Sequence, residues 1–175
     1  MTHTGPIPTG QWQVIDGMRV TTPARTGVDV ARTAPFPGAV ALADHVIRRF
    51  AQAPLREEMT AIAAMEAGRH GMSRARAVVA FADPRAESGG ESVSRALLAK
   101  QGLPAPDLQL EIRGPGGAFV ARCDMGWREE RTVGEFDGRV KYQGGLTPGQ
   151  DPGQVVFREK IREDRLRELG WEVVR

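Results

Sequence analysis

The stretch FVARCDMGWREERTVGEFDGRVKY, residues 119–142, decides the fold of the second half of the chain. Apolar and polar residues alternate from Phe119 to Trp127, which is the period of a β-strand with one buried face. A polar turn follows, and a second short run surrounds Glu135. Two neighbouring strands, 118–127 and 131–137, are therefore predicted to form a hairpin.

Three acids lie on the strands of this hairpin, namely Asp124, Glu135 and Asp137. Strands are normally poor in Asp and Glu, so their presence needs a physical reason. Carboxylate oxygens are the ligands that Mg²⁺ prefers, and a hydrolytic metal site is one such reason. The alternative is a set of solvated strand acids paired with the arginines of the same hairpin, Arg122, Arg131 and Arg139.

The remaining sequence predicts a mainly helical first half and an α/β second half. A hairpin around Asp16-Gly17 is followed by helices over about 23–32, 38–50, 55–67 and 73–82, and Thr21 or Thr22 is expected to cap the first of them. After Ser88, we expect a helix at 91–101, strands at 107–113, 118–127 and 131–137, a helix at 155–169 and a strand at 171–175. The packed side of the last helix is predicted to be Phe157, Ile161 and Leu169. The fold class is thus α/β with a mixed sheet. The expected division is a helical segment, 1–86, and an α/β core, 87–175.

Composition restricts the class of protein more than its function. Hydrophobic residues make up 41% and charged residues 26%, which is ordinary for a globular chain. No apolar run approaches membrane-spanning length, and the first residues lack the pattern of a signal peptide. The single cysteine, Cys123, is compatible with a reducing compartment and is expected to be a buried thiol. We therefore expect a cytoplasmic protein, and the net charge of +2 alone does not indicate nucleic-acid binding.

The order of these pieces resembles the PD-(D/E)XK nuclease superfamily, in the branch of the very-short-patch-repair endonucleases. The matching pieces are Glu91 on a helix, Asp124 in ARCDMGW, Glu135 and Asp137 in GEFDG, and the charged segment EKIREDRLRELGWEVVR. Upstream, VTTPARTGVDVAR and ALADHVIRR resemble a segment of actinobacterial proteins of the abortive-infection type IV antitoxin kind. The resemblance implies a restriction-endonuclease-like core, a mixed β-sheet flanked by helices, preceded by a helical N-terminal segment.

The same resemblance implies roles for individual residues. Asp124 and Glu135 would bind Mg²⁺, with Glu91 and Asp137 as supporting carboxylates, and Lys141 or Lys160 would stabilise charge. Lys160 and Arg162 would contact nucleic acid. The family usually has Lys where this chain has Asp137, which leaves three alternatives: Lys141 reaches back into the site, Asp137 is a third metal ligand, or the site no longer catalyses. Glu91 also fits a capping box with Ser88 at its helix N-terminus.

Three hypotheses follow for the function. The first is a Mg²⁺-dependent endonuclease that hydrolyses phosphodiester bonds of DNA. The second is a catalytically decayed nuclease fold that serves as a DNA-binding or antitoxin-like regulatory module, with a toxin or defence-system partner and a homodimer as a further arrangement. The third is an α/β protein whose strand acids only keep one sheet face hydrated.

Overall fold

A computed structural model describes residues 6–136 and 152–175 of the chain, with the side chains of residues 152–156 and 158 left out. The chain divides into two compact units, Met1–Pro84 and Arg85–Arg175. The described residues form six α-helices and two β-sheets, so the predicted mixed α/β class is confirmed. None of the described helices is long and apolar enough to cross a membrane.

The first unit begins with the predicted hairpin. Strands β1 (Trp12–Ile15) and β2 (Met18–Thr21) pair antiparallel, with Ile15 opposite Met18. Asp16 and Gly17 connect them, and both have positive φ, 50° and 77°. This left-handed pair is the geometry of the tight hairpin turn for which Asp-Gly is suited, because Gly carries no Cβ.

Four helices follow the hairpin, close to their predicted ranges. They are α1 (Pro23–Thr33), α2 (Phe36–Arg49), α3 (Leu55–Met65) and α4 (Met72–Phe81). Thr22 caps α1 as predicted, since its side chain accepts a hydrogen bond from the backbone N–H of Arg25 at 3.3 Å. Helix α1 contacts the other three helices, and its Gly27 allows the side chain of Met59 on α3 to approach closely.

Arg25 is a buried charged residue that ties several elements of the first unit together; it is only 4% exposed. Its guanidinium donates hydrogen bonds to both carboxylate oxygens of Asp29, to Gln11 Oε1 at 2.9 Å and to Glu66 Oε1 at 3.0 Å. Arg69 donates to the same oxygen of Glu66 at 2.7 Å. Burial raises the pKa of Glu66, but the hydrogen bonds and charges of Arg69 and Arg25 outweigh it, so that the pKa is lowered overall.

The second unit contains a four-stranded sheet, as far as its described strands show, in the order β3-β4-β5-β6. Its elements are α5 (Gly89–Lys100), β3 (Asp107–Arg113), β4 (Phe119–Trp127), β5 (Thr132–Gly134), α6 (Pro152–Glu168) and β6 (Glu172–Val174). Strand β4 is antiparallel to both neighbours, whereas β5 and β6 are parallel. Because α6 connects two parallel strands, the unit contains the β-α-β crossover that such a pair requires.

Leu166 of α6 lies in the core of this unit, at 1% exposure, against Leu110, Cys123 and Val133. The sequence had indicated Phe157, Ile161 and Leu169 as the packed side of this helix. That prediction is wrong for Phe157, which is 64% exposed, and for Ile161, which is 37% exposed. The helix is rotated so that Arg162, Leu166 and Leu169, at spacings of four and three, share the inner face.

We expect Arg25→Met to lower the free energy of unfolding by about 3 kcal/mol, since it leaves Gln11 Oε1 without its donor and removes one of the two arginines that contact the nearly buried Glu66. Arg74→Met is the matched control, because Arg74 is exposed on α4. It should change stability by less than about 0.5 kcal/mol. Urea denaturation followed by circular dichroism measures both, and equal effects of the two substitutions would contradict a stabilising role for the buried arginine.

Candidate functional site

Asp124 and Glu135 lie where the pairing of β4 with β5 ends. Met125 is paired with Gly134, so Asp124 and Glu135 occupy the next positions along the two strands. One carboxylate oxygen of Asp124, Oδ2, accepts a hydrogen bond from the backbone N–H of Phe136 at 2.9 Å. The structure therefore brings Asp124 and the end of β5 together, although they are 12 residues apart in the sequence.

Glu91 lies beside this region through the packing of Phe136. The ring of Phe136 occupies the space above Gly90, where a Cβ atom would overlap the ring edge. Glu91 follows Gly90 in the first turn of α5 and is 5% exposed. The absence of a side chain at Gly90 is thus what allows the end of β5 to approach the start of the helix.

The carboxylate of Glu91 is bound by protein donors. Its Oε2 accepts hydrogen bonds from the backbone N–H of Glu87 at 2.9 Å and from Gln109 Nε2 at 3.0 Å. Ser88 caps α5 as predicted, accepting from the backbone N–H of Glu91 at 3.1 Å. In an ordinary capping box the acid also accepts a hydrogen bond from the backbone N–H of the cap residue. Here Glu91 accepts from the backbone N–H of Glu87, the residue before the cap, instead. Gln109 has a positive φ of 54°, an uncommon conformation for a strand residue.

Glu135 forms a two-point ion pair with Arg162 on α6. Nη2 of Arg162 donates to Oε2 at 2.7 Å, and Nη1 lies 2.6 Å from Oε1. The two side chains are only 13% and 27% exposed, and Arg162 also donates to Glu159 at 2.8 Å. Burial disfavours the charged form of Arg162, but its hydrogen bonds to Glu135 and Glu159 outweigh this and raise its pKa. The pair joins the end of β5 to the middle of the helix.

Cys123 is a buried thiol, as expected, and it lies near Glu135. It is 1% exposed. Burial raises the pKa of the thiol to about 12, and the carboxylate of Glu135 adds to the shift by its charge and a hydrogen bond. The thiol is therefore neutral at physiological pH, which suits a structural role and not a nucleophilic one.

In the part of the chain that the structure describes, two hairpin arginines contact groups other than Asp124 and Glu135. Arg122 forms its ion pair with Glu87 at 3.0 Å. Arg131 donates to the backbone oxygens of Leu169 and Gly170, at the C-terminal end of α6. The third arginine of the alternative interpretation, Arg139, lies outside the described residues. The partner of Glu135 is instead an arginine 27 residues further along the chain, Arg162.

Only some of the residues predicted to form the metal site lie within the described part of the chain. Asp137 and Lys141 lie outside the described residues. Among the described residues, 6–136 and 152–175, no group of three or more His, Cys, Asp or Glu side chains is arranged to hold a metal ion. The described carboxylates do not by themselves fit Mg²⁺, since Glu135 faces a guanidinium and Glu91 faces two N–H donors. Magnesium at Asp124 and Glu135 stays a prediction.

The predicted nucleic-acid contacts differ in availability. Lys160 is exposed on α6, as a phosphate-binding lysine would be. Arg162 is turned toward Glu135 and Glu159, so that its charge is balanced within the protein. Sequence reasoning missed this pairing because the local pattern of α6 suggests only contacts at spacings of three and four along the helix.

Comparison with known proteins gives a family match for the first unit and relatives that align with most of the chain. Residues 1–81, nearly the whole first unit, match the family model of the AbiEi antitoxin C-terminal domain. Over 162 residues the chain is 37% identical to an uncharacterized protein of Mycobacterium tuberculosis, in strain CDC 1551 / Oshkosh and in strain ATCC 25618 / H37Rv. The alignment covers 93% of this chain and 56% of each relative, so the chain spans little more than half their length. No solved structure matches the chain.

The close approach of Phe136 to Gly90 gives a paired test. Gly90→Ala should lower the free energy of unfolding by about 1 kcal/mol or more, because the new methyl group overlaps the Phe136 ring. Gly89→Ala is the control, since a Cβ there meets nothing within 4 Å, and it should be neutral or stabilising by roughly 0.5 kcal/mol. Thermal and urea unfolding measure the difference. If both alanines have the same effect, the packing of strand end on helix start is not as described.

Proposed function

We propose that this chain is an antitoxin-like regulatory module that acts on a toxin or another component of a defence system. The observation that carries the proposal is the match of residues 1–81 to the AbiEi antitoxin C-terminal domain. The matched region coincides with a unit that has its own buried core and the Arg25 network. A compact unit of this kind is what a transferable regulatory domain requires.

The surface of the first unit supports a protein partner. Three apolar side chains at the tip of the β1–β2 hairpin are strongly exposed: Val14 at 59%, Ile15 at 48% and Met18 at 64%. Ile15 and Met18 are directly opposite each other and share one face of the hairpin. Clustered exposed apolar side chains of this kind commonly mark a protein contact. The hairpin tip is therefore our candidate surface for the toxin.

The regulatory proposal is tested by growth. Cells that express a toxin of an abortive-infection pair should grow when they also express this chain, and the double substitution Ile15→Ser with Met18→Ser should abolish the protection. Phe157→Ser is the matched control, since Phe157 is equally exposed but lies in the second unit, and it should protect as well as the wild type. Immunoblots and thermal unfolding confirm that all variants are produced and folded.

Failure of the wild-type chain to protect cells from the toxin would overturn the proposal. Protection that survives the double substitution would leave the regulatory role intact and exclude the hairpin tip as the contact. A mobility-shift titration with duplex DNA distinguishes the remaining alternative, in which the regulatory partner is DNA. In that case binding weakens steeply with salt, because bound phosphates release their counterions.

The endonuclease is our second proposal, and one observation favours it: Asp124 and Glu135 occupy adjacent positions on paired strands, with Glu91 close to the same strand end. Asp124 and Glu135 would bind Mg²⁺, with Glu91 and Asp137 in support. Metal binding requires that the cation displace Arg162 from the carboxylate of Glu135, which the guanidinium holds at 2.6–2.7 Å.

This second proposal predicts a linkage between metal and stability. Millimolar Mg²⁺ or Mn²⁺ should raise the melting temperature of the wild type, because an ion that binds only the folded state stabilises it. The shift should vanish in Asp124→Asn and persist in Glu111→Gln, whose acid lies on β3 and pairs with Arg113. An unchanged melting temperature, together with intact single- and double-stranded DNA after incubation with either metal, would exclude the nuclease and leave the regulatory proposal.

A further inference from the structure

Arg162 lies between two carboxylates, one nearly buried and one exposed. Its guanidinium makes two contacts with Glu135, of 2.6 Å at Oε1 and 2.7 Å at Oε2, and Nη2 also donates to Oε2 of Glu159 at 2.8 Å. The side chain of Glu135 is 13% exposed, whereas that of Glu159 is 43% exposed. One nitrogen of Arg162 is therefore shared between an acid of the interior and an acid of the helix surface.

The contact with Arg162 leaves one oxygen of Glu135 incompletely bound. Oε1 is buried, and none of the described residues donates a hydrogen bond of good geometry to it, so its attraction to Nη1 is one of charge. A buried carboxylate oxygen without a donor is unfavourable, and a cation is a partner that satisfies it. Asp124 places a second carboxylate at the neighbouring position of the paired strand. The strand end thus has oxygen ligands that suit a cation, but a guanidinium already lies against them.

Arg162 is not released from Glu135 unless another cation takes its place. Removing the partner of a largely buried charge is strongly unfavourable, whereas an exposed ion pair contributes little. Glu159 lies one turn away on the same helix and already binds Nη2, so the guanidinium keeps this contact when it releases Glu135. Exchange at Glu135 is then a competition between two cations for the same two oxygens.

We propose that Arg162 is a built-in competitor that holds the carboxylate of Glu135 against divalent cations, so that the site is closed until a cation displaces the guanidinium toward Glu159. The competing ligand is a divalent cation such as Mg²⁺ or Mn²⁺, since carboxylate oxygens are among the ligands that these ions prefer. The inference rests on the second proposed function for the class of its ligand, and it adds the residue that controls access to the site. It is independent of the regulatory role assigned to the first unit, because every residue involved belongs to the second unit.

Thermal unfolding of the full chain in rising concentrations of Mn²⁺ measures this competition without any catalytic readout. Arg162→Met removes the competitor, and the Mn²⁺ concentration that gives half of the maximal shift should fall at least about tenfold below that of the wild type. Arg162→Lys keeps the charge beside Glu135 but not the two-point geometry, so it preserves the fold and should respond at a concentration lower by about threefold or more. Arg167→Met is the matched control, since Arg167 is 54% exposed and pairs with Glu163 on the same helix; it should respond within about twofold of the wild type.

A further substitution locates the bound ion. Adding Asp124→Asn to either Arg162 variant should abolish the gain, because the second carboxylate is then lost. The inference is overturned if the folded Arg162 variants do not respond to Mn²⁺, or if their gain persists with Asp124→Asn. Equal responses of the wild type and the Arg162 variants would also overturn it, while leaving the endonuclease proposal intact. A response of the variants without one of the wild type would support the competitor and count against the endonuclease.

Discussion

The second unit depends on one ion pair, in which Arg162 of α6 holds the carboxylate of Glu135 at the end of β5. Both groups are largely removed from water, so neither is tolerated without the other. The pair fixes the rotation of α6. With Arg162 turned inward, Leu166 enters the core beside Cys123 and Val133, while Phe157 and Ile161 face outward. A polar contact thus decides which apolar residues of the helix are buried.

The same pair bears on function. In a metal-dependent nuclease, a carboxylate in this role binds a metal ion. Here the positively charged group in contact with Glu135 is the guanidinium of Arg162. An arginine at 2.6–2.7 Å neutralises the carboxylate without offering a Lewis acid or a bound water. In the described structure, the ion pair joins α6 to the end of β5. The match of the first unit to the antitoxin domain is a separate observation, and it alone carries the regulatory proposal.

The two units use buried charge in a similar way. In the first, Arg25 connects the hairpin through Gln11, its own helix through Asp29 and the end of α3 through Glu66. In each unit a planar guanidinium satisfies several acceptors at once, for which lysine lacks the geometry. Each unit also leaves large apolar side chains exposed, at the hairpin tip in the first and at Leu97, Leu103 and Phe136 in the second.

The sequence by itself determined the elements, because local signals specify them. Alternation located β4, Asp-Gly located the first turn, Thr22 and Ser88 located two helix starts, and the burial of Cys123 followed from its strand face. Tertiary structure alone decided the partners: Arg162 for Glu135, Gln109 for Glu91, and Phe136 for the space above Gly90. These contacts join residues 18 to 46 positions apart, and their geometry arises only when strands and helices pack, since no local periodicity encodes which distant charges meet.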